Sequence, residues 1–164
     1  MTEYILDQKR ANEAYEALVK YLAVCPRSEK ECVEKLYSKG YHKDEVNFAI
    51  EKAKGYRYID DVEYVRNFLM FNKSKYGAKK LSYKLMTEKG IDRTLVENSI
   101  ADTLSDEYEK EICGQFADKY VKQKHIADKA GIQKLNAFLY QKGFEWNIIN
   151  SVVDGLFDIE YEDI

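Results

Sequence analysis

Three times along the chain an apolar pair four residues apart runs into a Lys-Gly dipeptide, and three times an amphipathic stretch follows. The pairs are Cys32/Leu36, Leu81/Leu85 and Leu135/Leu139, and the glycines are Gly40, Gly90 and Gly143. Beyond them come Val46/Ala49/Ile50, Val96/Ser99/Ile100 and Ile149/Val152/Val153, each set six, nine and ten residues past its glycine. That is the i, i+3, i+4 spacing of one helix face. Leu36-Tyr37-Ser38-Lys39-Gly40-Tyr41 recurs as Leu139-Tyr140-Gln141-Lys142-Gly143-Phe144, while the middle copy, Leu85-Met86-Thr87-Glu88-Lys89-Gly90-Ile91, is one residue longer. The glycines lie 50 and 53 positions apart, a period slightly longer than the ~34–47 residues of familiar helical repeats. Each reads as the left-handed residue that ends one helix and starts the turn into the next.

Start signals agree with this division. Ser28-x-x-Glu31 is a capping box, Asp60-x-x-Glu63 a near equivalent, and Asp92 a good N-cap. A longer helix is expected ahead of each pair, over roughly 7–24, 61–75 and 106–124, with Pro26 closing the first. No segment alternates Val, Ile and Thr between turns as a half-buried sheet requires. The pattern predicts an all-α chain of three tandem three-helix repeats, over 1–55, 56–105 and 106–164. Such repeats bury their apolar faces against one another, so the expected body is an elongated, curved stack with an extended surface for a macromolecular partner.

Composition narrows the class without changing this picture. The 164 residues are 45% hydrophobic and 34% charged with a net charge of −3, as in ordinary globular proteins. No apolar run approaches the ~18 residues of a membrane helix, and Met1-Thr2-Glu3-Tyr4-Ile5-Leu6-Asp7 does not read as a signal peptide. A cytoplasmic monomer without membrane attachment is expected. Cys25, Cys32 and Cys113 form no C-x-x-C pair and read as reduced, partly buried thiols. His42 falls where a helix N-cap is wanted, His125 lies in a basic run, and neither has a metal-ligand or nucleophile partner at a recognised spacing. Nucleotide-binding glycine loops and Gly-x-Ser-x-Gly elbows are missing. The adjacent Asp60 and Asp61 read as caps at a helix start rather than as an acid–base pair. Neither an enzyme nor a cofactor is expected.

Charge is distributed unevenly. Residues 1–55 carry 10 basic and 10 acidic side chains, 56–105 carry 9 and 7, and 106–164 carry 7 and 12. From Tyr64 to Thr87 there is no acid at all, while Arg66, Lys73, Lys75, Lys79, Lys80 and Lys84 all fall there with Tyr76 and Tyr83 interleaved. Such a stretch suits phosphates or an acidic protein groove. Tyr37, Tyr41, Tyr56, Tyr58, Phe68 and Phe71 are expected to pack the cores between repeats, and Trp146 to staple a helix start near Phe144.

In four places the chain resembles the bacterial RecX regulatory proteins, modulators of the RecA recombinase. These are Arg27-Ser28-x-x-Glu31 with Lys35-Leu36-x-x-Lys39-Gly40-Tyr41; Tyr58-Ile59-Asp60-Asp61-x-x-Tyr64; Tyr76-Gly77-x-Lys79-Lys80-Leu81 with Leu85 and Lys89-Gly90-Ile91; and Lys134-Leu135-x-x-Phe138-Leu139-Tyr140-x-Lys142-Gly143-Phe144. Together they span most of 27–157. The resemblance implies three helical repeats and no catalytic centre or cofactor. It also implies binding to RecA and to its filament on single-stranded DNA, restraining ATP hydrolysis, strand exchange and coprotease activity; the family is often basic, so the acidic third repeat of this chain leaves weak direct nucleic-acid contact as the expectation. The interface expected for that partner is the basic run of the middle repeat, Lys79 and Lys80 above all, with Arg57, Arg66, Lys73, Lys75 and Lys84 in support. Two other readings compete: a helix-turn-helix-like nucleic-acid binder and a helical-repeat scaffold unrelated to recombination.

Overall fold

The computed structural model describes residues 6–157, which contain nine α-helices and no strand. In chain order these are α1 (Gln8–Val24), α2 (Glu29–Ser38), α3 (Lys43–Gly55), α4 (Asp61–Asn72), α5 (Ala78–Tyr83), α6 (Arg93–Thr103), α7 (Asp106–Lys124), α8 (Lys129–Gln141) and α9 (Trp146–Phe157). One π-helical turn, Lys84–Glu88, continues α5. The helices follow as three successive trios, as the repeat pattern requires. No described helix is long and apolar enough to cross a membrane.

Most helices start where a side-chain oxygen takes up an N–H of the first turn that has no partner within the helix. Asp7, Ser28, Asp60, Asp92, Ser105 and Asp128 accept in this way ahead of α1, α2, α4, α6, α7 and α8. At α3 the direction reverses, because the buried Glu45 carboxylate accepts from the His42 backbone N–H at 2.8 Å. Gly40, Gly90 and Gly143 hold φ of +88°, +65° and +98°, the left-handed conformation that only glycine adopts cheaply.

The odd length of the middle motif has a direct structural answer. Tyr41 N–H reaches back to Leu36 O and Phe144 N–H to Leu139 O, each closing over five residues, whereas Ile91 N–H reaches Leu85 O over six. The extra residue is absorbed as the π turn, so the Lys-Gly ending is kept although the helix before it is one residue longer.

The described chain forms two compact units. One takes the residues through Asn67 together with Leu85–Leu95, the other Phe68–Lys84 together with the residues from Val96 on. The middle trio is therefore shared, since α4 and α6 each contribute to both units. In the first unit α1, α2 and α3 close on Ala14, Leu18, Cys32, Leu36, Val46, Ala49, Ile50 and Ala53. In the second, α7, α8 and α9 close on Ile112, Cys113, Ala117, Leu135, Leu139, Phe144, Ile148, Ile149 and Val153. The motif pairs Cys32/Leu36, Leu81/Leu85 and Leu135/Leu139 are all fully buried.

Several aromatic expectations are corrected. Tyr37, Tyr56, Tyr58 and Phe71 are exposed, Phe71 at 75%, while Tyr41 and Phe68 are half-buried. The fully buried positions of the first unit's core are filled by alanines, aliphatics and Cys32, and the rings that reach it, Tyr15, Tyr21 and Tyr41, pack against it only in part. Trp146 stacks its ring on Tyr140 at 4.9 Å. Phe144 itself is buried in the core beside Phe116, which leaves the ring at the start of α9 to find a partner on the surface.

Candidate partner-binding surface

The basic run is organised by how α5 begins. Three successive N–H groups at its start all find partners elsewhere in the second unit. Gly77 donates to Lys142 O at 2.8 Å, Ala78 to the Glu109 carboxylate at 2.6 Å, and Lys79 to Gly143 O at 3.0 Å. The approach requires glycine on both sides. A Cβ on Gly77 would fall on the Gly143 carbonyl, and a Cβ on Gly143 would fall on the backbone and Cβ of Lys80. Lys80 then sends its ammonium to Gln141 O at 3.4 Å. Burial raises the pKa of Glu109, opposed by the Ala78 N–H that it accepts.

The same joint occurs inside the first unit. There Asp61 accepts from Glu29 N–H, in the first turn of α2, at 3.0 Å. The Lys30 stem lies where a Cβ on Gly90 would be, and its ammonium donates to Thr87 O at 3.3 Å. Burial raises the Asp61 pKa, again opposed by the backbone N–H. Each joint thus pairs a carboxylate from the first helix of the following repeat with an N–H at the start of a middle helix, and a lysine with a left-handed glycine. Asp60 alone is thus seen to cap α4, while Asp61, expected as a second cap, accepts from the start of α2.

The five lysines of the expected interface all fall in the second unit. Lys80 and Lys84 lie over the Tyr76 ring at 5.0 and 5.2 Å, Lys79 over Tyr140 at 5.1 Å, and Lys73 over Tyr108 at 5.2 Å. Lys79 also stands 4.0 Å from the Glu145 carboxylate. Lys75 is exposed. Lys80 and Lys84 thereby share the Tyr76 ring, while Lys79 joins the half-exposed Tyr140–Trp146 stack. A cation held over a ring gains about 0.5–1 kcal/mol at an exposed site, which helps to orient these ammoniums. Lys84 also opens the π turn, a geometry frequent at functional sites.

Arg57 and Arg66 belong to the other unit. Arg66 pairs with Glu63 at 3.0 Å on an exposed face, a pair worth little in water. Arg57 holds φ +58° without being glycine, at a cost of roughly 1–2 kcal/mol.

Sequence reasoning missed three participants: Glu109, the Tyr140–Trp146 stack, and Arg27, whose guanidinium lies 4.6 Å from the Tyr21 ring centre and 3.6 Å from Glu31. The available signal for the joint was the lysine just ahead of the first two apolar pairs, Lys30 and Lys79-Lys80; Lys30 and Lys80 lie 60 and 63 residues before the glycines that the joints engage, Gly90 and Gly143. For the stack there was none beyond the presence of the rings.

Comparison with known proteins places these features in a family. The model for the first three-helix domain of RecX matches residues 14–52, and that for the third three-helix domain matches 106–153. The regulatory protein RecX of Clostridium botulinum (strain Alaska E43 / Type E3) is 32% identical over 151 residues, covering 90% of this chain and 70% of the relative. That of Caldanaerobacter subterraneus subsp. tengcongensis is 29% identical over 144 residues, covering 87% and 70%. The crystal structure of RecX from Lactobacillus salivarius matches with a TM-score of 0.80 at 27% identity, over 92% of this chain and 97% of that one. Matched at its first and last helix trios and across most of its length, the chain belongs to the RecX family of regulatory proteins.

Proposed function

We propose that this protein regulates RecA by binding it and its filament on single-stranded DNA, and that it restrains the filament's ATP hydrolysis, strand exchange and coprotease activity. Lys73, Lys75, Lys79, Lys80 and Lys84 make the contact, with Arg57 and Arg66 in support. The observation that carries the reading is the lysine–aromatic surface of Lys79, Lys80, Lys84, Tyr76, Tyr140 and Trp146, in a stretch with no acid between Tyr64 and Thr87. Oriented cations beside exposed rings suit an anionic macromolecular surface. The mechanism is binding rather than chemistry. A regulator shifts an assembly equilibrium only by its difference in affinity between two states, so one filament conformation must be bound more tightly than the other. The setting is cytoplasmic and the acting species a monomer.

The test is association with preassembled RecA–single-stranded-DNA filaments by co-sedimentation over a range of salt. Wild-type protein is expected to sediment with filaments and to be released as salt rises. Lys75→Gln/Lys84→Gln removes two charges but leaves the N–H and lysine contacts of the joint in place, and is expected to bind several-fold more weakly. Association that is unchanged in this variant and insensitive to salt removes the surface as the interface.

A further inference from the structure

We propose that the first compact unit carries a nucleotide-binding pocket, in which Arg27 and Arg57 hold a phosphate and Tyr58, backed by Tyr56, stacks a base. The pocket lies between the α1–α2 connection and the start of α4, with Arg27, Arg57, Tyr58, Asp60, Glu63 and Tyr64 in its lining and a volume of about 220 Å³.

Four observations point to an anionic, ring-bearing ligand. The acids of the lining are already engaged: Asp60 accepts the Glu63 N–H at 3.2 Å, and Glu63 pairs with Arg66 at 3.0 Å. The arginines are less fully matched. Arg27 shares the single Glu31 carboxylate with Lys89, at 3.6 and 3.4 Å, and its buried Nε has no acceptor. Arg57 takes the left-handed φ of the residue that ends α3, with its own N–H on Lys54 O and the Tyr58 N–H on Ala53 O at 2.9 Å, a turn that brings both Arg57 and Tyr58 to the pocket lining. Finally, Tyr56 and Tyr58, on either side of it, stack on each other at 5.7 Å while remaining 61% and 53% exposed. A guanidinium next to an exposed ring is the combination by which single-stranded nucleic acids are held without regard to sequence.

The same chemistry occurs in a free mononucleotide and in one residue of a single strand, and the two are separated by competition. The full-length protein, with no RecA present, is titrated into fluorescein-labelled oligothymidylate at low salt and read by anisotropy, with thymidine monophosphate as competitor. Arg57→Gly is the decisive variant, because glycine relieves the backbone strain while removing the guanidinium. It is expected to bind roughly tenfold more weakly with an unchanged or higher melting temperature, and Tyr58→Leu is expected to weaken binding by a similar factor. Displacement by the monophosphate at concentrations comparable to unlabelled strand identifies a free nucleotide as the ligand, and displacement by strand alone identifies a single strand; either supports the pocket. Wild-type protein that binds neither probe overturns the proposal, as does Arg57→Gly binding like wild type. Because RecA is not in the assay, either result leaves the filament reading to its own test.

Discussion

Gly40 and Gly143 end equivalent helices with almost the same backbone, φ +88° and +98°, yet only one of them sits in a joint. A Cβ at Gly40 meets nothing within 4 Å, whereas a Cβ at Gly143 would meet Lys80 N at 2.7 Å and Lys80 Cα at 3.0 Å. Alanine at either position carries the left-handed cost of about 1–2 kcal/mol. At Gly143 it must also push α5 away from two backbone hydrogen bonds, Gly77 N–H to Lys142 O and Lys79 N–H to Gly143 O. Overpacking of that kind costs about 1–3 kcal/mol, so Gly143→Ala should lose about 2–5 kcal/mol against about 1–2 for Gly40→Ala. Urea unfolding followed by far-ultraviolet circular dichroism measures both. Equal losses would refute the joint as an energetic feature and leave only the local turn.

The carboxylates give a second pair of opposed expectations. Burial raises the Glu109 pKa, so its charge is carried at a penalty above the raised value, and the penalty is relieved as pH falls. Glu109→Gln keeps an acceptor for Ala78 N–H and should match or exceed wild-type stability at neutral pH, with the difference shrinking in acid; a large loss at neutral pH would show the charge itself to be required. Glu45 is the reverse: the His42 N–H, and then Arg10 at 2.9 Å, hold its pKa below the usual carboxylate value. Its contribution is present above the ordinary glutamate range and is lost as pH falls through the lowered value, so Glu45→Gln should destabilise at pH 7 and much less in strong acid, as thermal melts against pH will check. Burial pushes the Cys32 and Cys113 thiols up to about 12, while Cys25 is half-exposed. An aromatic disulfide reagent at pH 8 should therefore titrate one thiol in the folded protein and three in denaturant; three fast thiols without denaturant would contradict the packing.

Helix number, order and ends were legible because they depend on short-range chemistry. Ser28, Asp60 and Asp92 cap where the sequence places them, and the Lys-Gly glycines are left-handed. Alpha-helical period alone also located the buried pairs. The aromatic residues were not legible, because a ring's burial depends on whether the packed helices leave volume beside it, which no local pattern encodes. Thus Phe71, near the end of α4, is exposed, and of two rings that follow equivalent Lys-Gly turns Tyr41 is half-buried while Phe144 is fully buried. Long-range acceptors were equally hidden: Asp61 and Asp60 are neighbours in sequence, yet one caps its own helix and the other reaches Glu29 from 32 residues away. The basic run itself was visible as a charge pattern. That Lys80 lies against a glycine turn, while Lys75 remains exposed, required the fold.

Regulation of RecA is read by titrating this protein into RecA from the same organism, assembled on single-stranded DNA with ATP, and following ATP hydrolysis. Dose-dependent slowing at substoichiometric amounts is expected, with the Lys75→Gln/Lys84→Gln variant needing several-fold more protein for the same effect. Hydrolysis that stays unchanged up to stoichiometric protein, with no filament association, would contradict it.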